Sequence, residues 1–457
     1  MKSNNVLKWT GRIFVGLVAF FLLLTMFLFQ KIDRTPYKEM PYYHKMLAQL
    51  DTFQLDTNFQ KGYYLKAGWA KRNITPDYFP NLAGYGIREK ANCLEDSVFV
   101  RTVVFSNGKS KVAYISVDLL IFPPIIEERI RKITEKLGYK SENLYLSATH
   151  THSAPGGWVA GPAGKLLAGT YDEAYVARVV EDIILTIKNA EMDMEEAITG
   201  FGQIKASSFV SNRLSMPDSK VDPWIRIFKI KKKSGKEAAI IIYSAHANCL
   251  KMKYTCVSAD YPGRVIHQLE NDHTLSFAMY SAGMVGSHIP VNLYQNGTQL
   301  LDETYLHAYG DSIGNLISKN IDSIPYKPGN RLSCAVLDLP LREPHLKISK
   351  DWRVRPWVFD LLFGPYNPKI KLLKINDVLF IGTPCDFSGE LMEDFEQICT
   401  EKKIQLVITS FNGGYIGYIN VDKYYDSEKE ETRNMNWFGP YNQTYFTEII
   451  LRILKKI

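Results

Sequence analysis

The chain has 457 residues, 46% of them apolar and 23% charged, a balance that excludes disordered, collagen-like and disulfide-scaffold classes. Its formal charge of +7 divides into +4 before residue 40 and +3 over the remainder, too little for a nucleic-acid footprint. No nucleic-acid partner is expected.

In chain order, the first informative segment is the apolar, uncharged run 13–29. At about 1.5 Å per residue it is just long enough to cross a bilayer. Lys2, Lys8 and Arg12 precede it, which favours a cytoplasmic N-terminus. The run lacks the small-residue exit of a cleaved signal peptide. We therefore expect residues 1–12 to be cytoplasmic, 13–30 to form a transmembrane signal anchor, and the rest to leave the cytoplasm, with a cleaved signal as the alternative. Residues 31–64 read as a juxtamembrane spacer, and 65–457 as one large or two fused domains.

Within that region the apolar runs stop at chemically capable residues. Residues 111–122 read as a buried strand that delivers Asp118, and 125–137 as a helix stopped by Gly138. Residues 143–147 form the next strand and run directly into Ala-Thr-His-Thr-His, 148–152. A strand, helix and strand of these lengths make a βαβ unit with parallel strands, so His150 and His152 emerge at a carboxyl edge. Residues 224–231 and 237–244 read as a hairpin whose second strand ends at His246, and 378–383 as a strand ending at Asp386. The clustered Lys229, Lys231, Lys232 and Lys233 flank its Ser-Gly turn and read as a solvated face. A final strand, 405–410, opens into the Gly-rich stretch 412–418.

The expected fold class is thus α/β, with mixed sheets flanked by helices and a metal site at the carboxyl ends of strands. Two imidazoles, His150 and His246, with the carboxylate of Asp386 and an open position match a catalytic rather than a structural zinc site. His-Glu-x-x-His, Gly-x-Ser-x-Gly and phosphate-binding glycine loops do not occur. Six cysteines are compatible with disulfides outside the cytoplasm, but their spacing leaves a Cys249–Cys256 loop and buried free thiols both open.

Several of these segments, in order, resemble the neutral/alkaline (non-lysosomal) ceramidases. They are Ile74-Thr75-Pro76, 82–86, Ser116-Val117-Asp118, the His-Thr-His-Ser-Ala-Pro-Gly-Gly stretch 150–157, and Asn212-Arg213. The order continues with His246, 258–263, Pro384-Cys385-Asp386-Phe387 and 408–418. The resemblance implies a zinc amidase, one ion per chain, that cleaves the N-acyl bond of ceramide, with a lipid substrate and a membrane surface as partners. By position it implies His150, His246, Asp386 and Tyr418 as zinc ligands, His152 as the catalytic histidine and Arg213 as the active-site arginine. Asp386 stands where the family has a glutamate, and the family's catalytic tyrosine falls near Glu430 or Glu431. A non-catalytic lipid- or glycan-binding descendant is the alternative expectation. The aromatic segment 351–368, broken by prolines and glycine, is expected as a loop or short turn that either fills the core or rims a lipid entrance.

Overall fold

The computed structural model describes residues 2–55, 64–214 and 219–457. The N-terminal segment forms helix α1 (Lys2–Leu28), followed by the short strand β1 (Phe29–Lys31) and helix α2 (Pro41–Thr52). Next come β2 (Lys66–Asn73), β3 (Phe99–Ser106), β4 (Lys111–Val117), α3 (Pro124–Thr134), β5 (Leu144–Ala148), α4 (Gly161–Ala168) and α5 (Glu173–Met192). The chain continues through β6 (Glu195–Lys205), β7 (Trp224–Lys232), β8 (Glu237–Tyr243), α6 (Asp260–Asn271), β9 (Phe277–Ala282) and α7 (Asp302–Asn320). It finishes with β10 (Leu332–Asp338), β11 (Trp352–Val354), α8 (Pro356–Phe363), β12 (Lys369–Ile375), β13 (Val378–Gly382), α9 (Glu393–Lys402), β14 (Gln405–Thr409) and α10 (Asn442–Lys456).

Strand residues alternate between two buried layers, which dictates a stack of four. In β4, Val112 and Tyr114 face one apolar cluster while Ala113, Ile115 and Val117 face another. In β13, Val378 and Phe380 join the first cluster, and Leu379 and Ile381 face away into a third. Both faces of each strand are therefore apolar, and both must be covered. The large sheet, in spatial order β9-β8-β7-β6-β2-β3-β4-β5, packs on the smaller sheet β10-β12-β13-β14 through the shared layer of Tyr114, Tyr145, Phe228, Ile240 and Phe380. Helices α3 and α5 cover part of the large sheet's outer face and α6 and α7 the rest. Helices α2, α9 and α10 cover the smaller sheet. The architecture is mixed α/β, with sheets flanked by helices.

Three parallel pairs matter for function: β4 with β5, β8 with β9, and β13 with β14. The expected hairpin of β7 and β8 is antiparallel, joined at Ser234-Gly235. Its lysines depart from the solvated reading. Lys229 and Lys232 lie on buried positions of β7, Lys229 donating to the Ile321 carbonyl and Lys232 pairing with Asp193 above the Trp69 ring. Only Lys231 and Lys233 of the run reach solvent. Lys229 and Lys232 fall on opposite faces of β7, so each is buried against its own partner and not by one shared face.

The region expected as a spacer is also different. Tyr37, Tyr42, Tyr43, Met46, Leu50, Phe53 and Leu55 are buried against α10 and the small sheet, so residues 31–55 are part of the folded body. Residues 56–63 of that expected spacer lie outside the described residues. The apolar run, by contrast, is fully unburied over Trp9–Leu28 and long enough to span a bilayer.

The disulfide joins Cys93 to Cys256, not Cys249, and Cys249, Cys334, Cys385 and Cys399 are free thiols. Cys93 and Cys256 face each other in a short parallel bridge, Cys93–Leu94 against Cys256–Val257. The link closes a loop with a sequence separation of 163, which restricts the unfolded chain by a few kcal/mol, on the order of 2–5. Cys93→Ser is expected to lower Tm by several degrees in calorimetry. An unchanged Tm relative to the oxidised wild type would show that the bond adds no stability.

Candidate active site

Strands β5, β8 and β13 end at the same place, and the residues after them converge. Beyond β5, the backbone N–H of His150 donates to the Leu119 carbonyl, at the end of neighbouring β4. His150 itself takes a left-handed conformation, φ 65°, costly for a residue with a side chain and held here by the packing around it. Its ring stacks on Phe411 with centroids 4.0 Å apart, and Phe411 is likewise left-handed at φ 61°. His152 is tied to the second loop, its N–H donating to the Ala247 carbonyl. Gly84 makes this approach possible: a Cβ there would fall 2.8 Å from the His152 ring, and its φ is +117°.

The three imidazoles meet edge to edge. Nε2 of His246 lies 2.9 Å from Nε2 of His150 and 2.8 Å from that of His152, and the remaining pair is 3.3 Å apart. Nδ1 of His150 donates to the Leu120 carbonyl at 2.6 Å, and Nδ1 of His246 faces the Val285 carbonyl at 3.4 Å. A carbonyl can only accept, so both Nδ1 atoms carry the proton and both Nε2 atoms present lone pairs. Burial holds all three rings neutral: His150 is pushed down to about 3, and His152 and His246 fall well below the usual histidine range.

Neutral nitrogens with lone pairs facing one another repel unless a cation lies among them. Tetrahedral zinc with Zn–N of about 2.0–2.1 Å sets two of its nitrogens about 3.3 Å apart, so His150 and His246 need open only slightly to take one ion between them. A carboxylate is at hand. Asp386, fully buried, places Oδ1 at 3.6 Å from His150 Nε2, with no hydrogen-bond donor of its own, while Oδ2 accepts from Tyr415 at 2.7 Å. Burial pushes the Asp386 carboxyl up to about 7, against the pull of Arg213. The donor set therefore fits a divalent metal.

His152 differs from its two neighbours. Its Nδ1 lies against the Gly84 backbone, a looser contact than that of His150 with Leu120, and it is the most exposed ring at 9%. Metal-bound histidines usually donate their second N–H to a carbonyl or carboxylate, as His150 and His246 do.

The other expected residues join the same cluster. Tyr418 pairs with Asp386 in a short parallel bridge, and its hydroxyl accepts from Arg213 at 2.8 Å. Arg213 also donates to the Gly286 carbonyl at 2.9 Å and faces Glu431 at 3.1 Å. Burial opposes its charge, but Tyr418, Glu431 and Asp386 hold it raised and firmly cationic. Tyr415, Phe411, Tyr85 and Glu431 are neighbours whose part in the site was not assigned from sequence. Tyr415 and Phe411 flank the Gly-Gly of 412–418, which was the available signal; Tyr85 lies in the segment 82–86, and its ring sits 4.8 Å from His152.

A family model for the neutral/alkaline non-lysosomal ceramidase N-terminal region matches residues 65–293. A neutral ceramidase from Mycobacterium tuberculosis is 23% identical over 222 residues, 44% of this chain and 34% of that protein. One from Pseudomonas aeruginosa is 23% identical over 246 residues, covering 49% of this chain and 37% of its own length. The chain thus spans about a third of these relatives' length. The crystal structure of the Pseudomonas aeruginosa neutral ceramidase superposes with TM-score 0.74 at 16% identity, covering 87% of this chain and 75% of that one. The fold is shared at that distance, and with the matched N-terminal region the chain belongs to the neutral/alkaline non-lysosomal ceramidase family.

Proposed function

We propose that the chain is a membrane-anchored, zinc-dependent amide hydrolase that cleaves the N-acyl bond of ceramide or a related N-acyl lipid. The observation that carries this reading is the set of three buried neutral imidazoles facing one another beside the unpartnered oxygen of Asp386. His150, His246 and Asp386 would hold one zinc, with the Tyr418 hydroxyl beside Asp386. Zinc bound there would supply Lewis acidity, lowering the pKa of water to about 7 and polarising a carbonyl.

The chain's own residues account for the rest. His152, the most exposed of the three rings, takes the proton of the attacking water and returns it to the departing nitrogen. Water oxygen bonds to the acyl carbon, the carbon–nitrogen bond breaks, and the products are a fatty acid and a free amine. Arg213, kept cationic, offsets the charge that develops on the carbonyl oxygen. Tyr418 and the Gly286 carbonyl hold that guanidinium in place. The unburied apolar helix over Trp9–Leu28 supports an anchor with the N-terminus cytoplasmic and the domain outside. The Cys93–Cys256 disulfide suits an oxidising compartment.

Purified protein is expected to contain one zinc per chain by elemental analysis, and the His150→Ala, His246→Ala double variant to lose it. Full occupancy in that variant would overturn the assignment of the ligands. For His152→Ala, amine release from ceramide is expected to fall about 10²–10⁴-fold with zinc content unchanged. Loss of zinc from a folded His152→Ala protein would instead make His152 a ligand. A wild-type enzyme that binds zinc and releases no amine from any N-acyl lipid would favour a binding protein.

A further inference from the structure

Within the segment 351–368, expected as a loop or a short helical turn, β11 is followed by the two-turn helix α8. Pro356 occupies the first turn of α8, where a missing N–H costs nothing, and Gly364 at φ 77° closes its end. Prolines and glycine bound this helix rather than prevent it. The segment is also bonded to the N-terminal helix. Strand β1, which continues α1 without a break, pairs antiparallel with β11, Phe29 opposite Val354 and Lys31 opposite Trp352. The backbone N–H of Arg355 donates to the Leu28 carbonyl at 2.9 Å, and its guanidinium to that of Met26 at 3.0 Å. The Phe27 and Trp357 rings lie 5.0 Å apart.

These contacts fix where α8 must be. If α1 crosses a bilayer, Phe27 sits at the far end of the span, so Trp357 lies at the same depth, the headgroup boundary that Trp and Tyr favour. The outward face of α8 carries Trp357 and Leu361, one turn apart and 42% and 71% exposed, with the exposed Asp360 beside them at the edge of the face. Helix α4 packs against α8 and adds Leu166 and Leu167, also exposed. Exposed Lys31 and Lys165 flank this face and suit lipid phosphates.

The inner face of α8 leads to the active site. Phe359 and Phe363 contact the Trp437 ring, Trp437 contacts Tyr415 at 5.3 Å, and Tyr415 donates to Asp386. On the other side, α4 follows the His152 loop after eight intervening residues. We infer that α8, α4 and the end of α1 form one rim that seats in the outer leaflet and admits an N-acyl lipid to the site directly from the membrane. This rests on the hydrolase reading for the substrate and on the anchor for the bilayer.

The test uses the full chain reconstituted in phosphatidylcholine vesicles, with a fluorescent label at Leu361→Cys, Leu166→Cys or Lys236→Cys. Lys236 precedes β8, at the opposite end of that strand from His246, and serves as the water-exposed reference. Nitroxides on the acyl chains are expected to quench labels 361 and 166 at least threefold more than label 236, and aqueous iodide to quench them less. Iodide reaching 361 as readily as 236 would overturn the rim. Shielding of 361 from both quenchers would also overturn it, pointing to a second copy of the chain on this face. In the same vesicles, Leu361→Ser with Leu166→Ser should reduce hydrolysis of a long-chain N-acyl lipid about tenfold and spare a short-chain soluble one. Equal loss on both substrates would overturn the entry role. Lipid quenching without hydrolysis of either substrate by the wild type would leave the docking face standing and reject the hydrolase reading.

Discussion

Nε2 atoms of His150, His152 and His246 approach one another to between 2.8 and 3.3 Å among buried side chains, with Asp386 Oδ1 3.6 Å from that of His150. In a low-dielectric interior such an arrangement persists only when the surroundings over-determine it. The surroundings do so from three directions. The Leu120 and Val285 carbonyls orient two of the rings, Phe411 stacks on His150, and the backbone of one histidine loop is bonded to that of the other. The four-layer body exists to hold these loops: each is the continuation of a strand buried on both faces, so none can shift without disturbing the layer shared by Tyr114, Tyr145 and Phe380.

That dependence explains which parts of the structure were legible in the sequence. Apolar runs ending abruptly at His150, His246 and Asp386 marked strands with both faces covered, and parallel pairing followed from their lengths and the helix between. What escaped was set by contacts remote in sequence. Cys93 and Cys256 are 163 residues apart and meet only because two short segments pair, so spacing alone offered no sign of them. Tyr42, Tyr43, Met46 and Leu50 fall at helical spacing, but spacing marks a face without saying what covers it, here α10 and the small sheet. The lysines near the β7 turn were misjudged because Lys229 and Lys232 are buried by partners distant in sequence, the Ile321 carbonyl and Asp193, while Lys231 and Lys233 stay exposed.

The junction between α1 and the body shows the same logic at larger scale. An apolar helix followed by a flexible spacer would leave the domain free to tumble about it. Here β1 is hydrogen-bonded to β11, and residues 31–55 are packed into the body, so the orientation of the domain relative to α1 is fixed by backbone hydrogen bonds. A rigid junction exchanges reach for orientation: whatever surface α1 enters, only one face of the domain can meet it.

Two departures from the family pattern lie within one hydrogen-bonded cluster, and they bear on each other. Asp386 is one methylene shorter than the glutamate expected there, and its backbone is drawn inward by pairing with Tyr418 and by the N–H bond to Gly417. Glu431, near where the resemblance expects a tyrosine, reaches Arg213 at 3.1 Å. A tyrosine would donate a hydrogen bond toward the reacting oxygen; a glutamate can only draw charge from the arginine beside it. The guanidinium is thereby shared among Glu431, Tyr418 and the Gly286 carbonyl, held firmly in position but with part of its field already answered. Less of that field is then left for any further negative charge that develops beside the guanidinium. The carboxylates at 386 and 431 together set how this cluster distributes its charge.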